Sequence, residues 1–296
     1  MTDITLLDGG MGQELIARSN APPTPLWGTQ VMMDHPGLVR QVHADYFAAG
    51  ASVATANTYA ILRDRLDKFG VEDRFEALHA QALAEARAAR DAHGAGRVAG
   101  SIGPLVASYR PDAHPPHDVA VPKYAEIARL LGPQVDLILC ETVASLAHAR
   151  AVAEGAQAGG RPVWLAVTVD DEDGSRLRSG EAVADLGGAL DGVQAILANC
   201  SAPEAMAAAL AVLAGFGLPF GAYANGFRQI TKEFLKENPT VDALTARPEM
   251  TPDRYADYAM EWVGMGATIV GGCCETTPAH IAEIARRLRA AGHVIV

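Results

Sequence analysis

Three cysteines in this 296-residue chain are placed to hold a metal ion. Cys273 and Cys274 are adjacent and follow Gly271-Gly272, and Cys200 follows Asn199. Three thiolates make a soft donor set suited to Zn²⁺. They leave one tetrahedral position open, as a catalytic site does and a closed structural site does not. Neighbouring side chains on a strand point to opposite faces. Cys273 and Cys274 therefore meet one ion only if the chain turns out of strand geometry there. Gly271 and Gly272 supply backbone freedom for that turn. Spacing alone leaves two other readings open: small buried hydrophobes, or a redox pair. Cys140 reads as a buried structural thiol, with a fourth ligand as the lesser alternative.

The remaining chemistry clusters at the ends of apolar runs. These ends are Asp8-Gly9-Gly10, Asn57, Ser101, Glu141, Cys200, Asn225 and Cys273-Cys274-Glu275. Asp8 and Glu141 suit an ammonium group or general-base work, although Asp8 also suits a helix cap. DGGMG lacks the third glycine of a dinucleotide fingerprint. Its glycines are expected to bring backbone N–H groups near a ligand carboxylate. Trp27, Tyr59, Tyr109 and Tyr223 suit a box for a methylated cation, with ordinary packing as the plain alternative. The nine histidines show no metal-ligand spacing, and His114 and His117 read as surface.

Eight short apolar runs supply the elements that would position these residues. They are Ile4–Leu7, Ser52–Thr55, Arg97–Ser101, Val135–Leu139, Val163–Thr168, Gln194–Ala198, Pro219–Tyr223 and Ala267–Gly271. Their near-continuous hydrophobicity fits parallel strands covered on both faces. Between them, Arg74–His93, Asp253–Met265 and Pro278–Ala291 have helical periodicity, and Thr277-Pro278 is a helix start. Eight strands alternating with helices predict an α/β fold, a single (β/α)8 TIM barrel spanning residues 1–296. A doubly wound open sheet is the competitor. Three polar loops, Ala107–Val121, Asp170–Ala182 and Asn225–Thr251, each follow a strand and would stand over the C-terminal mouth.

The net charge of -11 repels phosphate, so nucleic acid and anionic membranes are not expected partners. No signal peptide and no membrane-length apolar run is legible. Four cysteines in a chain of this length are not a disulfide framework, which points to a reducing cytoplasm. Oligomeric state is not legible.

From LLDGGMGQEL to GGCCETTPAHI the chain resembles the zinc-dependent homocysteine S-methyltransferases, a family of (β/α)8 barrels. The paired cysteines after two glycines, with the upstream Asn-Cys, are the motif that carries the resemblance. It implies that Cys200, Cys273 and Cys274 hold zinc and that homocysteine's thiol takes the open position. It implies that Glu141 and Asp8 grip the amino group, and that the backbone at Gly9 and Gly10 takes the carboxylate. No catalytic group beyond the activated substrate thiolate is expected. The stretch containing Pro25-Leu26-Trp27 is similar to the S-methylmethionine-using branch. Two places depart from the family pattern: Glu275-Thr276 replaces the common Gly-Thr, and Asn225-Gly226-Phe227-Arg228 lacks the usual Asn-Ser-Gly or Asn-Ala-Gly. Betaine, dimethylsulfoniopropionate or S-adenosylmethionine as donor, and another thiol or a selenol as acceptor, are the alternatives. A non-catalytic zinc or redox-sensing protein is a further one. A zinc lyase or hydrolase would more usually use His and carboxylate ligands.

Overall fold

The computed structural model describes residues 2–20, 22–228, 230, 231, 235 and 244–296. The expected loop Asn225–Thr251 therefore lies partly outside the described residues. All eight expected strands form: β1 Asp3–Leu6, β2 Val53–Thr55, β3 Arg97–Ile102, β4 Leu137–Val143, β5 Val163–Val167, β6 Val193–Asn199, β7 Phe220–Ala224 and β8 Ile269–Gly272. Every pairing among them is parallel, in the order β2-β3-β4-β5-β6-β7-β8-β1.

The sheet closes between β1 and β2. A parallel bridge joins Leu7 to Val53. The Ser52 amide donates to the Leu6 carbonyl at 2.7 Å, and the Leu6 amide donates to the Ser52 hydroxyl at 3.0 Å. Closure decides for the barrel over the open sheet. A ninth strand, β9 Val294–Ile295, pairs with β1 beyond the barrel. Two residues give too short a pattern for sequence reasoning to find.

Strand alternation divides the core in two. Leu7, Val53, Ala99, Leu137, Leu139, Ala195, Leu197 and Tyr223 pack with one another inside the barrel. Their neighbours Leu6, Val98, Ile138, Cys140, Ile196 and Ala198 face outward into the larger layer between strands and helices. Cys140 is thus a fully buried thiol on the helix side, away from the mouth.

The helices Phe75–His93, Pro252–Gly264 and Pro278–Ala290 form close to the expected bounds, and Thr277 caps the last one. One polar loop is shorter than its composition implies. Residues His117–Val121 of the expected loop Ala107–Val121 open the helix His117–Leu131. Its prolines read as breakers, yet Pro116 occupies the cap, and Pro122 near the start removes a single helical hydrogen bond.

Candidate active site

At the C-terminal ends of the strands, residues from seven of them, or from the segments that directly follow, converge on one pocket of about 110 Å³. Its lining includes Asp8, Gly9, Gly10, Trp27, Asn57, Tyr59, Ser101, Tyr109, Glu141, Cys200, Tyr223, Cys273 and Cys274. Nearly every site residue read from the sequence is therefore on one wall or another. Asn225 is the exception. It is buried behind the pocket, where its side-chain oxygen accepts from the Phe227 amide at 3.0 Å and shapes the loop after β7.

The sulfurs of Cys200, Cys273 and Cys274 lie within 4.8 Å of one another. The chain does leave strand geometry after Gly272, in a turn closed by Thr276, whose amide and hydroxyl both donate to the Cys273 carbonyl. The glycines serve a different purpose from the one expected, since neither has a positive φ. A Cβ on Gly271 would stand 2.5 Å from Leu7 Cβ, and one on Gly272 would stand 2.0 Å from the Thr276 hydroxyl. Close packing, not backbone freedom, requires glycine there. Positive φ falls instead on Cys200 at 49° and Glu275 at 64°, and such strain in non-glycine residues gathers at functional sites.

Cys200 and Cys273 are joined as a disulfide, Cα to Cα 5.8 Å, while Cys274 is free. The redox pair that the spacing left open is the state of these two sulfurs here, within the same three-sulfur cluster a metal ion would use. Two strand ends that bring sulfurs close enough to share an ion also bring them close enough to bond. Burial, then Glu275 and Glu141, push the Cys274 thiol up to about 12. Three thiolates in such surroundings are stable only beside a cation of higher charge, so the donor set fits a dication once the pair is reduced.

Glu141 is buried at the inward-facing end of β4. Its carboxylate accepts from the hydroxyls of Ser101 and, at 2.9 Å, Tyr223. Burial raises its pKa, against the pull of those two hydroxyls. Asp8 Oδ2 accepts from the Thr55 amide at 2.7 Å. Burial lifts Asp8 to about 7, opposed by Thr55 and assisted by the charge of Glu141. Among the described residues lining the pocket there is no Lys, Arg or His.

The aromatic walls are less open to a ligand cation than their composition suggests. Trp27 and Tyr59 stack at 6.1 Å between ring centroids. Arg65 sits 5.6 Å from the Tyr59 ring centre, and Arg178 sits 5.6 Å from that of Tyr109. Protein cations therefore already use part of two rings.

The sequence model of the family described as homocysteine S-methyltransferase matches residues 5–288. A homocysteine S-methyltransferase of Escherichia coli is 32% identical, with 96% of this chain and 95% of that protein covered. The chain belongs to the homocysteine S-methyltransferase family. A selenocysteine methyltransferase of Astragalus bisulcatus is 26% identical, with 92% and 89% covered. The crystal structure of the E. coli homocysteine methyltransferase MmuM in a metallated form superposes with a TM-score of 0.81, at 31% identity over 97% of this chain and 96% of that one. The same enzyme in an oxidized form gives 0.79 at 31% identity, with the same shares covered. This chain is accordingly a methyltransferase acting on homocysteine.

Several contributors to this homocysteine methyltransferase pocket escaped sequence reasoning. Asn199 and Thr142 bond reciprocally: the Thr142 amide donates to Asn199 Oδ1 at 3.0 Å, and Asn199 Nδ2 donates to the Thr142 hydroxyl at 3.2 Å. Each adjoins a site residue, Glu141 or Cys200, so the pair sets the spacing of acid and thiol. Polar residues at the two strand ends were the available signal. The Gly10 amide, expected to face a ligand carboxylate, instead donates to the Thr276 carbonyl at 2.9 Å. Met11 and Gly12 line the pocket at the start of the helix Met11–Ser19, where backbone amides have no partner within the helix. Gln13, also on the lining, donates to Glu275 at 2.6 Å. Glu275 in turn abuts Gly226, where an added Cβ would come within 2.8 Å of Glu275 Cβ. The two departures from the family pattern are thus in contact. His114 also needs correcting: it is half-buried, stacked on His148 at 4.5 Å.

Proposed function

We propose that the chain moves a methyl group from an onium donor, S-methylmethionine, to the sulfur of homocysteine, giving methionine. The supporting observation is the cluster of three cysteine sulfurs beside two buried carboxylates, in a pocket whose described lining has no basic side chain. Cys200, Cys273 and Cys274, in their reduced state, hold Zn²⁺. Bound there, zinc keeps the substrate thiol deprotonated and nucleophilic near neutral pH. An all-thiolate set is poor at acidifying water, which disfavours hydrolase or lyase chemistry.

The protein's own groups do the positioning. Glu141 and Asp8 take the ammonium of homocysteine. Ser101 and Tyr223 fix the Glu141 carboxylate, and Asn57 borders the same face. The first amides of the helix Met11–Ser19 take the substrate carboxylate. The homocysteine sulfur then attacks the donor's methyl carbon. A new S–CH₃ bond forms as the donor's S⁺–CH₃ bond breaks, and the electron pair leaves with a neutral thioether. That leaving group needs no proton, so no side chain serves as general acid. Holding the two reactants in line removes much of the entropic barrier. An acidic pocket concentrates a cationic donor, whose methyl group meets Trp27, Tyr59, Tyr109 and Tyr223. Residues 1–296 act as one domain, in a compartment reducing enough to keep the three thiols free.

The test is a donor panel. Reduced, zinc-loaded protein is incubated with deuterated homocysteine and, separately, S-methylmethionine, betaine, dimethylsulfoniopropionate or S-adenosylmethionine. Deuterated methionine is read by mass spectrometry, because S-methylmethionine itself becomes unlabelled methionine. Labelled product with S-methylmethionine supports the proposal. Product only with another donor overturns the donor assignment, and product from metal-free protein overturns the role of zinc.

A further inference from the structure

His43 is wholly buried on the helix Leu38–Ala49, behind the pocket. Among the described buried histidines it alone has neither ring nitrogen hydrogen-bonded. Buried polar groups without partners are rare because their lost hydration is not replaced. His43 Nδ1 lies 3.9 Å from Asp8 Oδ2, about 1 Å beyond a hydrogen bond. Burial pushes the His43 pKa down to about 3, so the ring is neutral and keeps one N–H to give.

The place of Asp8 sharpens the point. Its Oδ2 accepts from Thr55 across the seam where β1 and β2 meet through the Leu7–Val53 bridge. Oδ2 has a second acceptor position, and the carboxylate lines the pocket. We propose that His43 is a positioning residue for homocysteine binding: its Nδ1–H closes onto Asp8 Oδ2 when the ligand's ammonium holds the carboxylate ionised, fixing Oδ1 towards the ligand. This rests on the reading of Asp8 as an ammonium partner. In this structure the ring stands 3.9 Å from Oδ2 with that hydrogen bond unmade.

The proposal makes stability and binding move oppositely. In His43→Leu an apolar side chain of similar bulk replaces the unpartnered ring. Unfolding temperature should hold or rise, because removing an unsatisfied buried polar group is not destabilising. Homocysteine KM should rise about tenfold, the effect of one lost hydrogen bond to a charged group. Donor KM, zinc content and kcat should stay. His43→Asn, whose amide reaches the position of Nδ1, should recover most of the homocysteine affinity. Wild-type homocysteine KM in His43→Leu overturns the proposal, as does His43→Asn behaving no better than His43→Leu. Nitrogen NMR of the ¹⁵N-histidine-labelled wild-type protein needs no variant. Homocysteine should shift the His43 Nδ1 resonance, and an unmoved resonance in substrate-saturated protein overturns the proposal even if the leucine variant does not fold. A wild-type protein that binds and methylates no homocysteine instead contradicts the proposed function.

Discussion

Both oxygens of the Glu141 carboxylate are engaged by hydroxyls, those of Ser101 and Tyr223, so the group is aimed before any ligand arrives. Glu141→Ala should raise homocysteine KM about 10- to 100-fold, the loss of one charge-assisted hydrogen bond, and leave zinc content unchanged. Steady-state kinetics with metal analysis on the same sample check both halves. Asp8 gives a pH prediction. Its carboxyl titrates at about 7 in the folded chain, above its ordinary 3.8. An acid raised in this way favours the folded state when protonated, so its contribution to stability declines as pH climbs from 3.8 through about 7. Ammonium binding needs the ionised form and has the opposite slope. Homocysteine affinity should weaken as pH falls below about 7, and Asp8→Asn should flatten that limb in a calorimetric pH series. Cys140 as a buried structural thiol and Glu141 as an acid at a strand end were legible in the sequence, and the structure adds that they face opposite sides of β4. The true engagement of Gly10 and Asn225 was not, because backbone hydrogen bonds across loops leave no compositional trace.

The thiol cluster depends on the strand ends. The end of β6 supplies Cys200 and the turn after β8 supplies Cys273 and Cys274, a pairing that eight legible strands made predictable. The disulfide between the first two was not predictable, since the same proximity serves a shared metal or a bond. If these three sulfurs hold the metal as proposed, a Cys200–Cys273 bond must first be reduced by two electrons and two protons. Protein prepared without reductant should take up little zinc, and protein treated with a phosphine should take up about one ion per chain, the number a three-thiolate site requires. Elemental analysis after desalting decides. The same turn is intolerant of side chains. Gly271→Ala would put a methyl group 2.5 Å from Leu7 Cβ on the neighbouring strand. We expect about 1–3 kcal/mol of destabilisation, as overpacking gives, seen in denaturant melts. Glycine pairs read as flexible in a sequence, and only the assembled barrel reveals them as sites without room.

At the scale of the whole molecule, the barrel brings distant segments to one mouth: Asp8 near the start, Glu141 mid-chain and Cys274 near the end. Parallel apolar strands and their count made that architecture legible. The closing contact was not, because β1 and β2 meet through one bridge and a few side-chain bonds rather than a full ladder. Asp8 belongs to that closure and to the pocket at once, so under the proposed function acceptor recognition would depend on the integrity of the seam. In the proposed reaction Cys200, Cys273 and Cys274 would hold zinc and leave it a place for the acceptor sulfur. X-ray absorption at the zinc edge of the reduced, loaded protein tests this most directly. It should report three sulfur ligands and one lighter atom, changing to four sulfurs when homocysteine is added. Fewer than three sulfurs, or a coordination sphere that homocysteine leaves unchanged, would contradict it.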